Sequence, residues 1–297
     1  MPAGPCDQAA QVLSQEDWQA RAGAHRERAE ALLAGVAERR RRGERHPVED
    51  FLFDYYTLRP GELVRWHPGA GVVLDDPDGQ FALKFYRHQD GRSQVDVEAF
   101  LERRGRTLEW TVELLSRTAE RPAALGCFGM HEWAMVYHLR PDQTRHSHLP
   151  LRFDPARVAE VVEQVGVRCS HFDALRFFTE DAVPLNSLSP TRETQAEMDQ
   201  PGCLHANMDL YKWCGKMLPL VDSGLLLDCY GLALEIRELD MQASAYDLSG
   251  WGYEPVAVET PEGRAEYVRR QRGFSEQAQV LRRRLLGQLQ PFRAVLV

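Results

Sequence analysis

Lysine is nearly missing from this chain. Of its 36 basic residues only Lys84, Lys212 and Lys216 are lysines, leaving 33 arginines in 297 positions. The arginines are spread along the chain, which fits a codon bias; the alternative is phosphate recognition by guanidinium forks. No run of about 18 apolar residues exists, which excludes an ordinary membrane-spanning helix. The opening MPAGPCDQAAQVLSQEDW has no basic stretch followed by an apolar core, so a secretory signal is not expected and a cytoplasmic location is. None of the six cysteines is paired as C-x-x-C. That spacing excludes the usual cysteine-only zinc site, and in such a compartment free thiols are expected rather than a disulfide framework. The net charge of −8 argues against coating nucleic acid by bulk positive charge. No phosphate loop, dinucleotide glycine fingerprint or G-x-S-x-G elbow is found, which removes the commonest NTPases, dehydrogenases and α/β-hydrolases.

What remains is an ordinary globular composition, 43% hydrophobic and 27% charged, long enough to bury a sizeable core. Ser14 precedes a polar stretch from Gln15 to Arg42 with a thin apolar stripe of Trp18, Ala22, Leu32, Leu33 and Val36, predicting a capped surface helix. Its basic end, Arg39 to Arg42, suits the helix C-terminus, with a phosphate patch as the sharper alternative, and Gly43 stops it. A second helix is expected from His46-Pro47. Val72 to Leu74 and Phe81 to Tyr86, separated by Asp75 to Gly79, predict a hairpin, with 88–93 a polar loop. The helical period predicts helices over Val95 to Glu120, Ala156 to Val165, Cys169 to Phe178, Leu204 to Leu218, Ser223 to Met241 and Gly263 to Leu289, with a polar loop over 140–155. The expected fold is mainly α: a helix-rich domain carrying a small β-hairpin, with 1–45 an N-terminal surface helix and 46–297 the α-rich catalytic part.

Four short motifs concentrate histidine, carboxylate and aromatic residues. In HPVEDFLFDYY (46–56), His46 and Asp50 stand four apart beside Glu49, a spacing that suits acid–base work or metal ligation; the acids also simply offset a helix dipole. In GCFGMHEW (126–133), two glycines make a turn from which His131 and Glu132 open an apolar helix containing Trp133. Positions 134 and 135 are Ala and Met, so this is not the H-E-x-x-H zinc signature. In RCSHFD (168–173), His171 and Asp173 share a face only in an extended chain, with Asn186 and Ser187 in a following loop. In GCLHANMDLY (202–211), His205 and Asp209 are one helical turn apart, either as a simple hydrogen bond or as an acid orienting a histidine. Polar groups set among apolar neighbours are costly to bury unpaired, so convergence of these motifs would form a pocket with perturbed proton affinities.

Together with Arg237-Glu238-Leu239-Asp240-Met241, Tyr246-Asp247-Leu248 and the run from Glu259 to Tyr267, these motifs resemble a bacterial, largely actinobacterial, family labelled 3-methyladenine DNA glycosylase, over roughly 46–285. The resemblance implies a hydrolase of base-excision repair that removes an alkylated purine such as 3-methyladenine from damaged DNA. His46, Glu49, Asp50, His131, Glu132 and Asp209 would be catalytic, with Asp50, Glu132 or Asp209 orienting water or stabilising the cationic sugar. Trp66, His67, Trp133, Asn207 and Tyr211 would hold the extruded base.

Two other functions fit the same residues. A metal-dependent enzyme on a small molecule would use the nitrogen and oxygen donors of the four motifs, with His171, Asp173 and His205 foremost, for iron or zinc. A non-enzymatic binding protein would present the Arg-rich segments 15–42 and 263–293 to a partner. Convergence of His46, His131, His171 and His205 in space discriminates among them.

Overall fold

The computed structural model describes residues 11–140, 143 and 149–295. Cys6 and part of the loop expected at 140–155 (141, 142 and 144–148) lie outside them. Mainly helical architecture with a small β element is what the chain adopts. Strand β1 (Gln11–Leu13) leads into helix α1 (Gln15–Arg42), whose start is capped by the Ser14 hydroxyl accepting from the Asp17 N–H and whose end is closed by Gly43 at a φ of 69°. Helices α2 (Phe51–Tyr55) and α3 (Pro60–Val64) are single turns. Strands β2 (Val72–Asp75), β3 (Tyr86–Gln89) and β4 (Arg92–Val95) complete a four-stranded sheet in the order β1-β2-β4-β3. Then follow α4 (Val97–Glu120), α5 (Met130–Ala134), α6 (Pro155–Val165), α7 (Phe172–Leu175), α8 (Gln195–Met198), α9 (Leu204–Lys216), α10 (Ser223–Gln242) and α11 (Pro261–Arg293).

The expected hairpin is displaced. The antiparallel pair is β3–β4, with Gln89 opposite Arg92, and β2 pairs with β4 rather than with the 81–86 run. Asp90 and Gly91 both take positive φ, 52° and 70°, the geometry of a two-residue hairpin turn. This Asp-Gly signal was obscured because its flanks are polar: most of β3 is solvent-exposed. The apolar 81–86 run instead packs through Phe81 into a small separate core with Leu13, Trp18 and Leu74.

Two helical expectations are also shortened. The chain after His46 makes a turn in which the His46 Nδ1 accepts from the N–H groups of Val48 (3.2 Å) and Glu49 (3.1 Å), and helix begins only at Phe51. In the 169–178 segment only Phe172–Leu175 is helical. The Asn186 side chain accepts from the Cys169 N–H (2.7 Å) and donates to the Cys169 carbonyl (3.0 Å), holding that stretch extended.

The principal core forms where α9 packs on α10 and α11 packs across α4, α9 and α10. Helix α1 joins it through Ala29 and Leu33 and lies on α3 and α10. Every residue of α9 from Leu204 to Tyr211 is buried, so this part of the helix has no solvent face. A helix enclosed on all sides is normally apolar throughout. Here it carries His205, Asn207 and Asp209, which must find partners inside the protein. Among the described residues no helix is long and apolar enough to cross a membrane.

Candidate active site

The polar residues of α9 turn in different directions and meet different partners. Asn207 donates to the Pro201 carbonyl (2.8 Å) and accepts from Arg282 of α11 (2.7 Å), so its amide is consumed in structure. Asp209 accepts from the Tyr56 hydroxyl (2.9 Å) through one oxygen and from the Lys212 ammonium through the other. It does not bond His205, as the one-turn spacing had suggested. His205 points to a third side, where its ring packs edge-on to His131 at 4.4 Å between centroids and lies stacked on His171 at 5.4 Å.

Three of the four motif histidines therefore converge. His131 is delivered by α5, whose first residue follows Gly129 at a φ of 69°. That glycine lies so close to Ala243 and Tyr267 that an added Cβ would sit 3.3 Å from both side chains. Trp133, on the same turn, is wholly buried and donates its indole N–H to the Ala243 carbonyl (2.8 Å), which anchors α5 rather than a ligand. The His131 Nε2 lies 2.7 Å from the Oδ1 of Asp240 on α10. Neither atom has a hydrogen bond of acceptable geometry among the described residues, although both are buried. The other oxygen of Asp240 accepts from Arg237 (3.0 Å), and Arg237 donates from the same nitrogen to Glu132 (2.7 Å). The Arg237 guanidinium also covers the Phe51 ring at 3.8 Å.

The proton affinities follow from these contacts. Burial pushes the His131 pKa down, but the Asp240 carboxylate outweighs it and the net shift is upward. His171 behaves alike: burial opposes and Asp199, 3.0 Å from its Nδ1, prevails. Among the described residues His205 has no ion pair with a carboxylate, and burial, followed by the neighbouring His131, holds it well below its usual value against the pull of Asp240. Burial would raise the Asp240 pKa, yet the His131 contact and the nearby positive groups bring it below the ordinary carboxylate range. A neutral imidazole thus lies between two that favour the proton.

His131 and His205 face a cavity of about 510 Å³. Its walls are largely apolar or thiol-bearing, including Cys127, Cys169, Cys203, Met198 and Leu204, and Arg121 and Arg168 contribute cations. All five described cysteines are free, as expected. The three thiols at this cavity are pushed up by burial, Cys169 to about 12, so they are protonated and poor nucleophiles. Behind His205 lies a space of only about 10 Å³, lined by Phe51, Tyr55, Phe177, Tyr246, Met135, Glu132 and Arg237.

His131, His205 and Asp240 each offer one ligand atom, all within 4.8 Å of one another. Zinc and related ions bind nitrogen and oxygen at about 2.0–2.2 Å, so the ligands of a tetrahedral ion stand about 3.4 Å apart, and an inward shift of up to about 1.4 Å closes the set. Arg237 occupies one Asp240 oxygen, and the other, 2.7 Å from His131, is left to reach an ion, the usual way a neighbouring group orients a ligand. The residues present fit a divalent metal.

Other candidates fall elsewhere. His46 packs edge-on to Trp251 (4.9 Å) and Tyr253 (5.9 Å), away from the other three histidines. Glu49 and Asp50 are both paired with Arg39 at 2.7 Å. Trp66 packs on Phe81 of the small core, and buried His67 bonds the Tyr86 hydroxyl (3.0 Å). Tyr211 lies between Tyr56 and Tyr230 in the core. Of the metal set His171, Asp173 and His205, only His205 belongs to the three-residue cluster. The two His171 nitrogens face Asp199 (3.0 Å) and Asp209 (3.8 Å). Asp173 is turned to the Tyr55 hydroxyl (3.2 Å) and Arg176 (3.2 Å) because a helix starts at Phe172.

Asp240 and Arg237 were not singled out as candidate site residues. A usable signal existed: Tyr230, Ala233, Arg237 and Asp240 recur at helical spacing on the buried stripe of α10, so two charges occupy core positions. Asp199 carried no such pattern. Compared with protein-family models, with curated proteins and with solved structures, the chain matches none.

Proposed function

We propose that this protein is a metal-dependent enzyme acting on a small molecule, with a divalent iron or zinc ion held by His131, His205 and Asp240. The observation that carries this is the approach of three buried ligand atoms to within 4.8 Å, with His131 and His205 lining a 510 Å³ cavity. Two imidazoles and one carboxylate form a donor set used by both non-haem iron and zinc enzymes, and it leaves coordination positions open toward the substrate. A bound ion supplies Lewis-acid polarisation of a substrate oxygen. The chain's own residues do the rest. Arg237 neutralises one of the two carboxylates it touches and orients Asp240, while the apolar cavity wall excludes water from the bound molecule.

The excision of an alkylated purine, implied by the resemblance, draws less support from this geometry. None of the residues lining the large cavity is Phe, Tyr or Trp. The aromatic side chains gather instead around the 10 Å³ space, which has room for a water molecule and not for a purine. Asp50, Glu132 and Asp209 are each committed to a cation, and none lines the large cavity.

Elemental analysis of protein purified without chelator is expected to find about one iron or zinc per chain. Removal by a chelator should lower thermal stability, and the same ion should restore it. Substoichiometric metal after supplementation, with stability unmoved by chelation, overturns the proposal. Release of 3-methyladenine from alkylated DNA by metal-free protein would restore the repair function in its place.

A further inference from the structure

A second polar pocket, of about 290 Å³, lies near the C-terminal end of α9 and is lined by Tyr56, Thr57, Arg104, Thr107, Lys212 and Lys216, together with Leu58, Glu62 and Gly215. In a chain with three lysines, two of them line this one pocket. The negative end of a helix attracts cations, and that accounts for one: Arg104 donates to the Lys216 carbonyl at 2.6 Å. A second, Lys212, is neutralised by Asp209.

Lys216 is left over. Its Nζ lies 4.8 Å from the Trp213 ring centre, beside the Lys212 Nζ at 4.6 Å from the same ring. Among the described residues its ammonium makes no hydrogen bond and no ion pair. Burial lowers its pKa, Lys212 and Arg104 push the same way, and only Asp209 opposes them among its main influences. Glu62, the one carboxylate lining the pocket, already accepts from the Arg59 N–H at 2.7 Å. The pocket therefore holds an excess of positive charge with free donors, and the hydroxyl-bearing Thr57 and Thr107 stand beside it.

We propose that this pocket is an oxyanion site that takes a phosphate group, either as free phosphate or as the monoester of a small metabolite. A phosphate's several acceptor oxygens match what the pocket offers: an ammonium as point charge, a guanidinium with remaining donors, and hydroxyls. The site is separate from the His131–His205–Asp240 cluster and does not rest on the metal proposal.

The scarcity of lysine makes a direct test available. Metal-free protein carrying ¹³C-labelled lysine side chains should show three Cε resonances, assigned with single Lys→Arg variants. Titration with inorganic phosphate should move the Lys212 and Lys216 resonances along one saturation curve and leave Lys84 unmoved. Lys216→Gln, at an exposed position, should weaken binding about tenfold, the loss expected for one charge-assisted contact. Tighter binding of glycerol 3-phosphate than of phosphate identifies the monoester as ligand, and equal affinity identifies free phosphate. A failure to saturate below about 10 mM phosphate overturns the proposal, as does an equal response at Lys84 or an unchanged affinity in Lys216→Gln.

Discussion

His46 with Glu49 and Asp50, and His131 with Glu132, are alike on paper: each places a histidine next to acids in an aromatic-flanked motif. In the folded chain they differ in how completely they are satisfied. Around His46 the ring and both acids are occupied, although the Arg39 Nε is left without a hydrogen bond among the described residues. The ring accepts two backbone N–H groups, Asp50 accepts from the His46 N–H (2.9 Å) and from Arg39, and Glu49 meets the same arginine. Around His131 buried polar atoms are left without hydrogen bonds on His131, His171, Asp240 and Arg237. Folding normally leaves few such atoms, because each costs about 1–3 kcal/mol. The first cluster leads into α2 and ties it to α1; the second is expensive to maintain and faces a cavity, which is how a site differs from a scaffold.

The sharpest break in this comparison is metal content. Asp240→Asn and His205→Gln should each abolish stoichiometric iron or zinc by elemental analysis, whereas Asp50→Asn should retain it. Equal metal in all three would erase the distinction. Next in size is the cost of uncovering a buried charge. Arg237→Met leaves Glu132 unpaired and Asp240 with His131 alone, and should lower unfolding free energy by about 3–5 kcal/mol in chemical denaturation.

A third test uses a histidine outside both clusters. Burial pushes His67 down to about 4, against about 6.5 in an unfolded chain. The unfolded state therefore binds the extra proton first. The stabilising contribution is present in full above pH 6.5 and is lost as pH falls through 4, about 3 kcal/mol in all. His67→Gln should flatten the pH dependence of stability across that window, and an unchanged slope would assign it to another group. Smallest is Arg39→Gln. Its ion pairs are partly exposed, so a loss of about 1 kcal/mol is expected by denaturation, with metal content unchanged.

Much of the fold was readable because its signals are local. Ser14 and Gly43 bound α1, and the helical period located α4, α6, α9, α10 and α11 to within a few residues. The sheet was less legible. β1 is three residues long and pairs with a strand about 60 positions away, a contact without local pattern. The site was half legible: His131, Glu132 and His205 stand out as polar residues in apolar company, but their partners Asp240 and Arg237 lie on a helix distant in sequence.

By itself the sequence determined that the chain is mainly helical and that its histidines cluster with acids. Propensity, capping and hydrophobic period act between near neighbours, so the residue order specifies them. Which histidines would meet, and which acids would be neutralised on the way, was decided by packing. His205 and Asp209 share a helix face within one turn, yet His171, Tyr56 and Lys212 draw Asp209 to one side while His131 and Asp240 wait for His205 on the other. Only the arrangement of α5, α10 and the 169–175 segment around α9 settles that division, because electrostatic partners inside a core are chosen by distance in space.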